Sequence, residues 1–372
     1  MVLFHKRTSF LITYILLGLI TLPNIGLVLM TPAKAQTTNN IPPRKASDIK
    51  PSELAPNYPV APPPPQIDPL PNQRIIEEKS IETDYRVSNL LKDFKGNLWV
   101  GSWRGLSRID PKTGKILARV SLPNVAIGAL AQDKVGRLWV GTYEGLMRVD
   151  SGTNEITAQN LFLPSKRVLS MLVDKRGYLW AGTDNGLALI SPDQGLIMTT
   201  VKNLPGVSAN ALTLDAEGQL WVGTLDGLVR VNTANAYIMK RIDGLPGTTV
   251  QALAISPEGL IWAGMANSLL VIDPKTDKVL RSVTPLRGRN VTTVNFAQDG
   301  SVWVGTTNGL LRLNPNTGAL LDQVAGLPSS RVLALVPDIG NKLWIGTSEG
   351  LAWLMPKMNG AKPHLAFSRA VK

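Results

Sequence analysis

The stretch Leu138-Trp139-Val140-Gly141-Thr142-Tyr143-Glu144-Gly145-Leu146 decides how this chain folds. Its pattern returns around Trp99, Trp180, Trp221, Trp262, Trp303 and Trp344, making seven copies in all. The first step between tryptophans is 40 residues, and the other five are 41. A fixed period of this size marks a supersecondary unit that must bury its apolar faces against its neighbours. A glycine follows two after every tryptophan (Gly101, Gly141, Gly182, Gly223, Gly264, Gly305 and Gly346), and a leucine seven after, as at Leu106 and Leu146.

One unit reads as four short strands. Ile127 to Gln132 is an apolar inner strand. Asp133-Lys134-Val135-Gly136 is a turn, because aspartate can bond the backbone two residues on and glycine accepts positive φ. Leu138 to Thr142 is the second strand, and Tyr143-Glu144-Gly145 is a hairpin turn. Leu146 to Val149 alternates apolar and polar, as a half-buried strand does. Ile156 to Leu161 is the outer strand. Four strands per 41 residues, seven times over, predict an all-β protein: a seven-bladed β-propeller of four-stranded antiparallel blades. The Asp-x-x-Gly turn is kept at Asp93, Asp133, Asp174 and Asp215, fails at Ser256 and Ala297 in the fifth and sixth units, and in the last unit keeps Asp338 but has Asn341 in place of the glycine. The periodic tryptophans are expected between blades, since each lies inside an apolar strand; a ring of exposed, ligand-stacking tryptophans is the alternative.

The chain has 372 residues, no cysteine and a net charge of +12. Disulfides and thiolate chemistry are excluded. The charge is spread between the two ends and a mildly basic middle, without the concentrated stripe of a nucleic-acid reader, so no nucleic-acid partner is expected. Residues 1–35 hold a positive start (Lys6, Arg7), an apolar run from Ser9 to Met30, and the cleavage-like triplet Ala33-Lys34-Ala35. They read as a signal peptide, or as an N-terminal anchor, since the 22-residue run of residues 9–30 is long enough to span a bilayer. Export to a periplasm or lumen is expected, with any membrane contact made through this segment. Residues 36–73 are a proline-rich disordered linker. The propeller occupies 74–355, and 356–372 form a basic C-terminal tail. Ring closure is expected from a strand at about residues 74–82 joining the last blade, because Ile75 to Ile81 holds the place that Ile116 to Leu122 holds before the second inner strand. The rival places His364 to Val371 there.

The phrase Asp133-x-x-Gly136-x-Leu138-Trp139-Val140-Gly141-Thr142-x-x-Gly145-Leu146-x-Arg148-Val149-Asp150 resembles the two-component regulator propeller repeat. That resemblance covers residues 75–355. It implies an extracytoplasmic sensor-type propeller, here without a kinase, receiver or DNA-binding module. The pattern is more distantly similar to the streptogramin lyases, whose chemistry uses a histidine with acidic residues and a divalent metal. The two histidines here, His5 and His364, lie outside the repeats.

In propellers the outer-to-inner loops and the second-to-third turns share one face around the central channel. On that analogy Arg86, Arg167, Arg289 and Arg331 reach the channel mouth, flanked by Trp103, Arg104 and Tyr143. Arginine forks suit carboxylates and phosphates, and aromatics suit interface anchors. The expectation is a monomeric, non-catalytic module that binds a partner protein or small anionic ligand of the cell envelope, without a cofactor or metal. Glu144, Asp184, Asp226 and Glu349 share the face and partly neutralise it, so an ordinary solvated surface is the plain alternative. A lyase or hydrolase using carboxylates in place of histidine is the second functional reading.

Overall fold

A computed structural model describes residues 84–122, 125–160, 162–356 and 358–368. All of them lie in the compact unit that runs from residue 77 to 372. The expected signal segment, the linker and the closing strand at 74–82 fall outside the described residues.

Seven four-stranded antiparallel sheets follow one another, each in plain sequential order. They span 89–121, 127–160, 168–201, 211–242, 250–282, 291–323 and 332–363. In blade 2 the strands are Ile127–Gln132, Leu138–Thr142, Gly145–Val149 and Ile156–Asn160, within a residue of the expected bounds. The turn between the first two is built as the sequence predicts. Val135 N–H donates to the Asp133 carboxylate at 3.2 Å, and Gly136 sits at φ +92°.

The seven inner strands line a central channel of about 320 Å³. The register fixes which chain ends meet at each rim. In blade 3, Val168 at the start of the inner strand pairs with Thr183 at the end of the second, which pairs with Gly186 at the start of the third. The outer-to-inner loops and the second-to-third turns therefore share one rim.

Six of the periodic tryptophans are almost wholly buried, and each blade's tryptophan packs into a cluster with its neighbour. Trp99 joins Ile127, Leu138 and Val140 of blade 2, and Trp139 joins Val168 and Leu179 of blade 3. Trp344 joins Val87, Leu98 and Val100 across the ends of the chain. They are spacers between blades. In blades 1 to 4 the turn aspartate accepts the indole N–H, at 2.9 Å for Asp215 and Trp221 and 3.1 Å for Asp133 and Trp139. Facing arginines lie over the rings, with Arg230 5.6 Å from the Trp221 centroid and Arg148 5.7 Å from that of Trp139.

The glycine two after each tryptophan is a socket. A Cβ on Gly223 would stand 2.6 Å from Cγ1 of Val250, the first inner-strand residue of the next blade. Gly264 meets Val291 and Gly305 meets Val332 in the same way, and Gly346 meets Val87. The last of these closes the ring between blade 7 and blade 1, where Val87 N–H also donates to Thr347 O at 3.0 Å.

Part of the segment read from its charge as a tail is built into this seam. Lys362 and Pro363 pair with Trp353 and Ala352 on the third strand of blade 7. Phe367 is fully buried among Val87, Leu98 and Trp344. His364 Nε2 donates to Gly114 O at 2.8 Å, and Lys342 Nζ donates to Pro111 O at 2.8 Å, so blade 7 grips a turn of blade 1.

Candidate functional site

On the rim shared by the two loop sets, backbone bonds tie the outer-to-inner loop to the second-to-third turn in five of the blades. Trp103 N–H donates to Tyr85 O at 3.2 Å, Tyr143 N–H to Ala126 O at 3.0 Å, Thr307 N–H to Asn290 O at 3.1 Å, and Ser348 N–H to Arg331 O at 3.1 Å. Asp184 N–H donates to Arg167 O at 3.3 Å. The sequence-predicted residues thus lie in one ring of paired loops around the channel mouth.

Within that ring the structure brings Tyr143 and Arg167 together. The guanidinium carbon of Arg167 stands 4.4 Å from the Tyr143 ring centroid, although the two residues belong to different blades. Stacking of this kind holds a flexible arginine in place while leaving its edge free to donate. Trp103 is 46% exposed and Tyr143 38% exposed. Arg86 is exposed and sits at φ +55°, a conformation that costs a non-glycine residue about 1–3 kcal/mol and persists where its surroundings enforce it. Arg331 is exposed, and Arg289 is half-buried beside the short 3₁₀ turn Thr284–Leu286, its N–H donating to Leu286 O at 3.1 Å. Below the mouth the channel wall carries polar side chains, among them Ser88, Asn89, Gln251 and Thr292. Several are spent on the next blade: Ser88 Oγ donates to Ile127 O at 2.9 Å and Thr292 Oγ1 to Val332 O at 2.7 Å.

Asp84 was not legible from the repeat. It is only 4% exposed and lies behind the Trp103-Arg104 turn. Its carboxylate accepts Ser102 Oγ at 2.7 Å and Arg104 N–H at 3.2 Å, with Arg119 at 3.5 Å. Burial pushes its carboxyl above the usual range, against these partners. One signal was present: Ser102 stands where Thr142, Thr183, Thr224, Thr306 and Thr347 stand in five other units. Among the described residues no cluster of three His, Asp or Glu side chains is placed to hold a metal ion, and no helix is long and apolar enough to cross a membrane.

Residues 121–144 and 163–185 match the family described as two component regulator propeller. These two segments resemble that family's repeat. Residues 199–325 match a further family, described only as a domain of unknown function. No curated protein is similar to the chain in sequence. Among solved structures, a catalytically inactive virginiamycin B lyase from Staphylococcus aureus, crystallised with quinupristin, superposes with a TM-score of 0.62 at 16% identity, over 72% of this chain and 93% of that one. The selenomethionine form of the same lyase gives 0.54 at 16%, over 66% and 85%. The extracellular domain of BT3049, described as a hybrid two component system of B. thetaiotaomicron, gives 0.55 at 17%, over 74% of this chain and 51% of that chain. The propeller thus spans about half of that sensor domain's length. At these identities the likeness establishes the fold that the lyase and the sensor domain share.

Proposed function

We propose that this is an exported, non-catalytic binding propeller whose loop rim takes a partner protein or a small anionic ligand of the cell envelope. The observation that carries the reading is the Arg167–Tyr143 stack at the channel mouth. It presents a fixed cation beside an exposed aromatic, and Arg86, Arg289 and Arg331 repeat the charge on the same rim. A fork held this way matches a carboxylate or phosphate with little ordering cost on binding. Export is supported by the signal-like sequence of residues 1–35 and by the extracellular setting of the similar sensor domain. The carboxylate-dependent lyase reading finds less support. Among the described residues, the side chains lining the channel include no Asp or Glu, and Asp84 is turned into its own loop.

The test is affinity capture from a native cell envelope, comparing the wild-type propeller with Arg86→Ala, Arg167→Ala and Arg331→Ala. The reading expects specific partners to disappear from the arginine variants while thermal unfolding is unchanged. Identical partner sets would overturn it.

A further inference from the structure

Away from the loop rim, a cavity of about 310 Å³ opens between blades 6 and 7. Its walls include Ala297, Trp303 and Arg312 of blade 6 and Leu354, Met355 and Met358 of blade 7. It lies where the repeat breaks its own rule. In blade 4 the turn carboxylate of Asp215 accepts Trp221 Nε1–H at 2.9 Å and Gln219 N–H at 2.8 Å, and meets Arg230 Nη2 at 2.8 Å. The corresponding residues of blade 6 are Ala297, Trp303, Ser301 and Arg312. The tryptophan and the arginine are kept, with Arg312 5.5 Å from the Trp303 centroid. The carboxylate between them is gone.

Part of the loss is made good locally. Asp299, two residues on, takes Ser301 N–H at 2.9 Å and Arg312 Nη2 at 2.6 Å, much as Glu217 meets Arg230 in blade 4. The Trp303 indole N–H has no acceptor among the described residues, and Trp303 is the most exposed of the seven periodic tryptophans, at 8%. Blade 5 has lost the same aspartate, which is Ser256 there. There Ser256 Oγ still caps the turn through Leu260 N–H at 3.1 Å, and Phe296 packs edge-on against Trp262 at 5.5 Å. In blade 6 the space is walled on its far side by blade 7, whose first turn reaches back so that Asp338 accepts Gln298 N–H at 2.7 Å. That turn runs through Pro337-Asp338, and the chain of blade 7 after Leu354 leaves through Met355-Pro356.

We propose that this cavity binds a small organic monocarboxylate with an apolar body. The carboxylate takes the place of the missing aspartate, accepting from Trp303 Nε1–H and facing the Arg312 guanidinium. The apolar body lies on Leu354, Met355 and Met358, and methionine suits a wall that must adapt to more than one shape. Asp299, Asp322 and Asp338 border the cavity against Arg312 and Lys342, with Arg312 already paired to Asp299, so a dicarboxylate or a strongly anionic group is repelled and a single charge on a hydrophobic acid is selected. The cavity is at the small end of ligand pockets, which fits a free acid better than the carboxyl terminus of a polypeptide.

The experiment uses the full-length chain with 3-phenylpropionate as the probe, and 3-phenylpropanol and 3-phenylpropylamine as shape-matched controls. Calorimetry and the indole N–H NMR resonance of Trp303, assigned with Trp303→Phe, provide the readouts. The expected result is a dissociation constant of about 1 mM or tighter for the acid alone, with the Trp303 resonance moving on titration. Ala297→Asp, which restores the carboxylate that accepts the indole N–H in blades 1 to 4, is expected to weaken the acid at least about tenfold, a difference of about 1.4 kcal/mol. Its circular dichroism spectrum and unfolding midpoint are expected to match the wild type's, which separates lost binding from lost structure. Equal binding to Ala297→Asp, equal binding of the alcohol or amine, or an unmoved Trp303 resonance overturns the proposal. Tighter binding of N-acetylphenylalanine than of 3-phenylpropionate would overturn the preference for a free acid over a polypeptide end.

Discussion

The Asp215 carboxylate accepts the Trp221 indole N–H at 2.9 Å, with both side chains out of water. The same carboxylate caps its own turn through Gln219 N–H, so one residue joins a hairpin to a blade interface. A buried donor left without its acceptor costs about 1–3 kcal/mol. Asp215→Ala should lower the free energy of unfolding by that amount in urea titrations. A loss under about 0.5 kcal/mol, the scatter of ordinary surface changes, would show that the bond contributes nothing net.

Gly223→Ala tests the socket. Its new methyl would stand 2.6 Å from Val250 Cγ1, in a position where the neighbouring strand cannot retreat without opening the interface. Overpacking of this kind costs about 1–3 kcal/mol. The double variant Gly223→Ala/Val250→Ala should recover part of the loss in the same denaturant assay. Strict additivity of the two changes would rule out the contact as the cause.

Asp84 gives a pH dependence with a definite sign. Burial raises its folded carboxyl above the unfolded value, so its contribution to stability is fully present below the unfolded value and is lost as pH rises through the folded one. Relative to Asp84→Asn, the wild type should therefore lose stability between acid and neutral pH. Unfolding free energies of the two proteins at a series of pH values measure this directly, and a constant difference would contradict it.

Tyr143→Leu separates binding from folding. The Arg167–Tyr143 stack is exposed, where such contacts contribute about 0.5–1 kcal/mol. Stability should change by no more than that, while capture of the rim's partner falls as it does for Arg167→Ala. If Tyr143→Leu retains full capture, the aromatic is not part of the binding surface.

Phe367→Ala should cost about 3–5 kcal/mol, the usual loss for truncating a fully buried aromatic. The effect should appear in both blades it joins, read as faster hydrogen exchange at Val87 and Leu351. Exchange that changes at Leu351 alone would mean that the seam does not depend on this residue.

The blade count, the strand order and the buried place of the tryptophans were legible because each is a local signal restated every 41 residues. The glycine after Trp221 is readable as a close approach, but only the fold says that Val250 is what approaches. The seam was harder. Phe367 is a single aromatic in a charged segment, without periodicity to mark it, and Asp84 meets Arg119 with three strands of blade 1 between them in the chain. At the candidate rim, the loop ring followed from topology, whereas the Arg167–Tyr143 contact joins two units and no spacing within either could announce it. The missing aspartate at Ala297 was visible as a departure from pattern. That it leaves a cavity depends on the path of blade 7.

The socket between Gly346 and Val87 is the same device as the six formed between blades that the chain itself connects. The ring consequently has no privileged first blade. A circular permutant that joins residue 368 to 84 through a short linker, and opens between residues 201 and 211, should assemble the same seven blades. The broken loop would then become the one junction held without a covalent link.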